Sequence, residues 1–399
     1  MTNDRIALLD SLRGLGVLGI LLCNAPDFAV PPGVAEAVKS WPHGTGPETL
    51  SVWFVTQWLF QRKFVTLFSM LFGVSIFLVG GERADKERGA ILRKRLSWMV
   101  LFGVLHGFAI WYGDVLLSYA LAGFAVMLMR SWSPKRLLGV GVSIWVVFSL
   151  LMIAGAVAMM LAPPSAELSA GETAQIAKAG LAEIQYSGTF LQSLVQNAKD
   201  RLILLPNEPI IFVMTASLMM IGLACFKLGL FTGEARTLTY VILLIVGLLA
   251  LAGVGFVFFQ FIVRGLPRTI SMVGLTVQMT TAPLITMAYV SLMVFASRSK
   301  GFWSAIPKTL APVGQMAFTN YLTQSLIMTA IFYGGRGLNL HGEVDRPGLA
   351  AITIGVWIVQ ILWSRWWMDR FEMGPLEWLW RRLYRGPTPL RRPRLAAVA

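Results

Sequence analysis

Charge is scarce in this chain, and two thirds of what it carries is positive. Only 14% of the 399 residues are Asp, Glu, Lys or Arg while 56% are hydrophobic, which excludes an ordinary soluble domain. There are two cysteines, Cys23 and Cys225, both in apolar segments without metal-ligand spacing. Neither a disulfide framework nor a metal centre is therefore expected. No glycine-rich loop ends in Lys-Ser or Lys-Thr, so a P-loop nucleotide site is absent. Ten-residue segments of alternating polarity are missing, which argues against a β-barrel. No internal repeat is visible, which weakens an inverted-repeat transporter. Histidine is rarer than either charged class, with three in all: His43, His106 and His341.

What the chain does have is a succession of apolar runs about twenty residues long, the length a helix needs to cross a bilayer. The expected fold is an all-α polytopic transmembrane helical bundle forming a single membrane domain over 1–399. About ten spans are expected: Ile6–Phe28, Phe64–Gly80, Leu96–Trp111, Val115–Arg130, Leu137–Leu161, Ile210–Leu230, Leu238–Ile262, Met272–Ala296, Leu310–Phe332 and Leu349–Trp367. The first apolar segment carries Asp10 and Arg13 and lacks a small-residue cleavage site, so it reads as a retained span and not a signal peptide. Leu50–Phe60 reads as an interfacial helix, separated from the second span by Gln61-Arg-Lys63.

The net charge of +14 would suit nucleic acid, but its distribution argues against that partner. Basic residues concentrate in loops 82–95, 131–136, 227–236 and 298–308 and in the C-terminal tail, all on one side of the membrane in this segmentation. That bias marks the cytoplasmic side, with both termini inside. The polar stretch 163–205 becomes an extracytoplasmic insertion, with a surface helix expected over Ala174–Asn197. Residues 369–399 become a basic cytoplasmic tail. Its Gly374-Pro-Leu-Glu-Trp-Leu-Trp-Arg381 stretch has the composition of an interfacial helix, where Glu377 is expected to pair with a neighbouring arginine.

His43 and His341 lie in loops, but His106 lies inside the apolar run Leu101–Trp111. Ionisable groups are costly there and suggest a function by default. A neutral imidazole can act as general base towards a hydroxyl or amine, with Asp114 or Asp10 to orient it. Asp114 is also placed to cap the next helix. Asp10 and Arg13, three apart, share a helix face, and Asn24 lies on nearly the same stripe. They form either an interfacial ion pair or a polar stripe in which Arg13 meets an anionic group. Lys63 either snorkels or offers a cation to substrate. Asn320 and Gln324, four apart and with Tyr321 and Ser325 beside them, read as helix–helix glue or as substrate contacts.

These stretches resemble the YeiB family of bacterial membrane proteins. The matching segments are Leu9-Asp-Ser-Leu-Arg-Gly14 leading to Asn24, Gln61 to Gly73, Gly103-Val-Leu-His-Gly107 with Gly113-Asp-Val-Leu-Leu-Ser-Tyr119, Thr319 to Ser325, and Gly374 to Arg381. Together they span almost the whole chain in order. The fold is similar to that of a wider group of transmembrane acyltransferases, including the acyltransferase-3 enzymes and heparan-alpha-glucosaminide N-acetyltransferase. The resemblance implies a multi-pass protein of the bacterial cytoplasmic membrane. It also implies transfer from a cytoplasmic acyl-CoA donor to a small-molecule, sugar or lipid acceptor, with no tightly bound cofactor. In the acetyltransferase the key histidine follows the first span in an outer loop, where this chain has His43; the YeiB pattern carries His106.

The leading expectation is therefore an acyltransferase. His106 and Asp114 would be catalytic, and Asp10, Arg13, Asn24, Lys63, Asn320 and Gln324 would bind donor or substrate. The chief alternative is a proton-coupled small-molecule transporter or exporter, with His106 and Asp114 as a relay. A third reading makes the polar stripes structural glue in an assembly protein. Membrane lipid is an expected partner, and a homo-oligomer stays open.

Overall fold

With the backbone's polar groups satisfied inside each segment, long apolar runs in lipid become helices. A computed structural model describes residues 3–35, 38–161, 179–266 and 270–390, and no β-strand forms among them. The first helices are α1 (Asn3–Ala29), α2 (Pro47–Val55), α3 (Lys63–Gly80), α4 (Lys86–Leu105) and α5 (Leu116–Met129). They are followed by α6 (Pro134–Leu161), α7 (Phe190–Leu204), α8 (Glu208–Lys227), α9 (Thr237–Val263) and α10 (Ile270–Arg298). The last are α11 (Phe302–Gln315), α12 (Ala317–Phe332), α13 (Arg346–Met368) and α14 (Pro375–Arg385).

Seven stretches of the described residues are long and apolar enough to cross a bilayer: Ala7–Ala29, Pro47–Gly80, Pro134–Leu161, Phe190–Lys227, Thr237–Val263, Met272–Arg298 and Arg346–Met368. The chain is a multi-pass helical membrane protein. Helices α4, α5 and α12 would supply the rest of the ten spans expected. α4 carries Arg88, Arg93, Lys94 and Arg95 in its first half, and α5 is only 14 residues long. The span expected over Leu310–Phe332 is broken at Met316, whose φ of −109° and ψ of 26° leave the helical region. Pro307 and Pro312 already interrupt α11.

Small residues let the central helices approach. A Cβ at Gly14 would collide with the Leu310 carbonyl, and one at Gly314 with the Asp10 carbonyl, so α1 and α11 cross backbone to backbone. Gly73 and Gly222 do the same for α3 and α8, against Met219 and Met70. In lipid such close packing replaces the hydrophobic drive available in water. α6 and α9 expose apolar side chains such as Leu150, Leu151, Leu249 and Phe256 and form the lipid-facing perimeter.

Two local features depart from a simple bundle. α2 runs on through a π-helical turn, Thr56–Phe60, and the chain then bends at Arg62, whose φ is +69°. The bend falls at Gln61-Arg-Lys63, where the sequence separates Leu50–Phe60 from the second span. The second departure is α7. Residues 163–178 of the expected insertion lie outside the described residues, and α7, into which the expected surface helix runs, turns a polar face into the protein. Its polar residues Ser193, Asn197, Asp200 and Arg201 are buried because they have partners in the protein, described below. Near the C-terminus α14 docks on α4, with the Trp380 indole N–H donating to the Arg95 carbonyl at 3.1 Å. The Arg95 guanidinium lies 4.5 Å above the Trp380 ring. Glu377 does not pair with an arginine as expected. Its carboxylate instead accepts from the Phe318 and Thr319 amides at 2.7 and 3.1 Å, capping α12 from outside.

Candidate functional site

At its C-terminal end α4 widens into a second π-helical turn, His106–Ile110, closed by the Trp111 amide donating to the His106 carbonyl at 2.9 Å. Such turns place one extra residue in the helix and recur at functional sites. The chain then turns at Tyr112-Gly113 and starts α5. Asp114 caps that helix, as its position before an apolar run suggested, accepting from the Leu116 and Leu117 amides at 3.1 and 2.9 Å. A turn this tight leaves the capping carboxylate beside the first residue of the π turn. Asp114 Oδ1 lies 2.8 Å from His106 Nδ1.

His106 is held at its other nitrogen as well, with Nε2 lying 2.9 Å from Ser325 Oγ on α12. His106, Asp114 and Ser325 are 1%, 4% and 2% exposed. An ionised carboxylate only accepts hydrogen bonds, so the Asp114 contact assigns the proton of a neutral ring to Nδ1. Nε2 is then the acceptor, and the Ser325 hydroxyl donates to it. The hydroxyl's other acceptor, the Tyr321 carbonyl, is farther away at 3.4 Å.

α7 braces this centre. Asn197 Nδ2 donates to the Gly107 and Phe108 carbonyls at 3.0 and 2.9 Å, satisfying backbone groups of the π turn. Arg201 reaches the Tyr112 and Asp114 carbonyls at 3.5 Å and pairs with Glu208 at 2.6 Å. Glu208 in turn accepts from Ser118 at 2.7 Å. Two buried donors beside the imidazole, Trp111 Nε1 and the Tyr321 hydroxyl, have no acceptor for their protons among the described residues. Their rings lie 6.3 and 5.2 Å from the His106 ring, and the Tyr321 oxygen lies within reach of the Val115 amide N–H, which offers the hydroxyl's own proton no acceptor.

The other expected site residues are distributed elsewhere. Asp10 does not orient His106, because Arg13 one turn away holds it in an ion pair of 2.7 Å. Asn24 is partly exposed on the outer half of α1. Lys63 is wholly buried and does not snorkel; Nζ donates to the Gln57 carbonyl at 2.9 Å, and it makes no ion pair among the described residues. Asn320 donates to the Val313 carbonyl and to Ser364, each at 3.0 Å. Gln324 donates to Gln360 at 2.8 Å and to the Val17 carbonyl at 3.3 Å. These bonds fasten α12 to α13 and α1, the glue reading. His43 bonds to the Gly342 carbonyl at 3.1 Å on an exposed loop, apart from His106.

Sequence reasoning therefore found the His106–Asp114 pair but missed Ser325, Trp111, Asn197, Arg201 and Glu208 as its neighbours. Ser325 closes the Thr319–Ser325 motif, which was the only signal pointing to it.

A Bacillus subtilis protein, the uncharacterized protein YxaH, is 31% identical over 96% of this chain and 94% of its own length. The uncharacterized Escherichia coli protein YeiB is 30% identical over 95% and 96%. The chain belongs to the YeiB family. A Bacillus acidopullulyticus protein encoded beside an amylase is 22% identical over 95% of the chain. The family model described as "Protein of unknown function (DUF418)" matches residues 225–387, so within this YeiB-family chain it covers Ser325 and Glu377 but not His106. No solved structure matches.

Proposed function

We propose that the protein is a transmembrane acyltransferase of the bacterial cytoplasmic membrane. It takes an acyl group from an acyl-CoA-type donor and passes it to a cell-envelope or small-molecule hydroxyl or amine. One observation carries this reading: a buried imidazole bonded to a carboxylate on Nδ1 and to a hydroxyl on Nε2. That arrangement leaves a base positioned to take a proton from a nucleophile, with the carboxylate steadying the imidazolium that forms. A proton relay for transport would use the same pair but has no need of a serine hydroxyl on the second nitrogen. Burial excludes the water that would hydrolyse an activated acyl group.

The test is transfer of label from radioactive acetyl-CoA or octanoyl-CoA to an envelope extract by purified protein in nanodiscs. His106→Ala should reduce the rate at least about a hundredfold, the lower bound of a positioned general base. Proton-coupled solute flux in proteoliposomes lacking any acyl donor, with no transfer detected, would replace this reading by the carrier.

A further inference from the structure

We infer that Ser325 is the nucleophile and that the acyl group rests on its oxygen between donor and acceptor. The inference depends on the acyltransferase reading but goes beyond it, since His106 could equally activate an acceptor directly. Three observations point to Ser325. The tautomer set by Asp114 directs the Ser325 proton towards His106 Nε2, and the 2.9 Å contact is shorter than the competing one to the Tyr321 carbonyl. The imidazole and the hydroxyl come from α4 and α12, far apart in the chain, so the pairing is a tertiary arrangement and not a local turn. Finally, the Trp111 indole N–H and the Tyr321 hydroxyl are buried beside the ring with no acceptor for their protons among the described residues. Buried donors without partners are rare and costly, and a histidine serving only as glue gives no account of them. A substrate carbonyl oxygen becoming an oxyanion would satisfy both.

The ligand class is an acyl thioester. Ser325 Oγ bonds to the thioester carbonyl carbon while its proton passes to His106 Nε2. The carbonyl π pair moves onto oxygen, where Trp111 and Tyr321 donate to it. That pair re-forms the C=O bond, the C–S bond breaks, and the thiolate leaves with the proton from Nε2. The products are a serine ester, a free thiol and a neutral imidazole. In the second half an acceptor hydroxyl or amine attacks the ester and gives its proton to Nε2. The C–Oγ bond breaks and Ser325 recovers that proton. Nothing is oxidised or reduced.

The experiment incubates the full-length protein in nanodiscs with radioactive acetyl-CoA or octanoyl-CoA and no acceptor. The reaction is stopped in acid and label is located by peptide mass spectrometry. A lipophilic fluorophosphonate serves as an independent probe for an activated serine. Wild type should carry one acyl group on the Ser325 peptide and react with the fluorophosphonate. Ser325→Ala and His106→Ala should each lower both signals at least about a hundredfold. Ser325→Cys, a close isostere, should regain acylation as a hydroxylamine-labile thioester, separating a nucleophile from a packing residue. Two results would overturn the inference: transfer by Ser325→Ala within threefold of wild type, or no label at Ser325 with either probe. In both cases the acyltransferase reading stands while wild type transfers label to an acceptor and His106→Ala does not, and it falls if wild type transfers none.

Discussion

Replacing Asp114 by asparagine separates its two tasks, because the carboxylate faces three donors: the Leu116 amide, the Leu117 amide and His106 Nδ1. An asparagine offers one acceptor oxygen and one NH2, so at least one of those contacts must invert. Oδ1 serves both the Leu116 amide and Nδ1, so with the amide oxygen kept at the Oδ2 position on the Leu117 amide the NH2 faces the ring and Nδ1 has to accept. The imidazole proton then moves to Nε2, which donates to Ser325 and can no longer take its proton. In the serine-protease template the same change costs about 10⁴ in rate, and a loss of about 10³ to 10⁴ is expected here. Stability should fall far less, by about 1 to 2 kcal/mol, the usual cost of a damaged helix cap. The assay pairs initial rates of label transfer from acetyl-CoA with thermal unfolding in the same detergent, using Asp114→Ala as the comparator that loses both tasks. A rate within tenfold of wild type at unchanged stability would refute control of the tautomer by Asp114. A rate loss that merely tracks the fall in stability would reduce Asp114 to a cap.

Two further outcomes concern the frame around the site. Gly314→Ala puts a methyl group against the Asp10 carbonyl and should destabilise the α1–α11 crossing by about 1 to 3 kcal/mol; an unchanged melting temperature would show that the crossing has slack. Burial pushes the Glu377 carboxyl above its ordinary value, so its contribution to stability is fully present below about 4.3 and is lost as pH rises through the raised folded value. Glu377→Gln cannot ionise and should give a flatter melting-temperature profile across that window; identical slopes for the two proteins would dismiss the charge at this cap.

The helical class was legible because it follows from length and polarity along the chain. A twenty-residue apolar run has one inexpensive backbone state in lipid, whatever its neighbours. Span count was less legible where length and charge disagree, as in α4, and where a helix stops without a strong breaker, as at Met316. The insertion misled for a related reason: Asn197, Asp200 and Arg201 look like a wet face until their partners on the His106 turn and α8 are seen. Glu377 misled in the same way, since the amides it caps lie 59 and 58 residues away in sequence.

By itself the sequence determined the membrane class and the membership of the YeiB family, and it offered Asp114, alongside Asp10, as a partner for His106. Asp114 was readable because eight residues and one tight turn bring it to His106 locally. Only the tertiary structure decided that Ser325 occupies the second nitrogen, from 219 residues away, and that Asp10, Asn320 and Gln324 serve other contacts. The physical reason is that hydrogen bonding is short-ranged and directional. Spacing along one helix predicts which face a polar group occupies, whereas its partner depends on how the helices cross, here where glycines at the crossings let backbones meet.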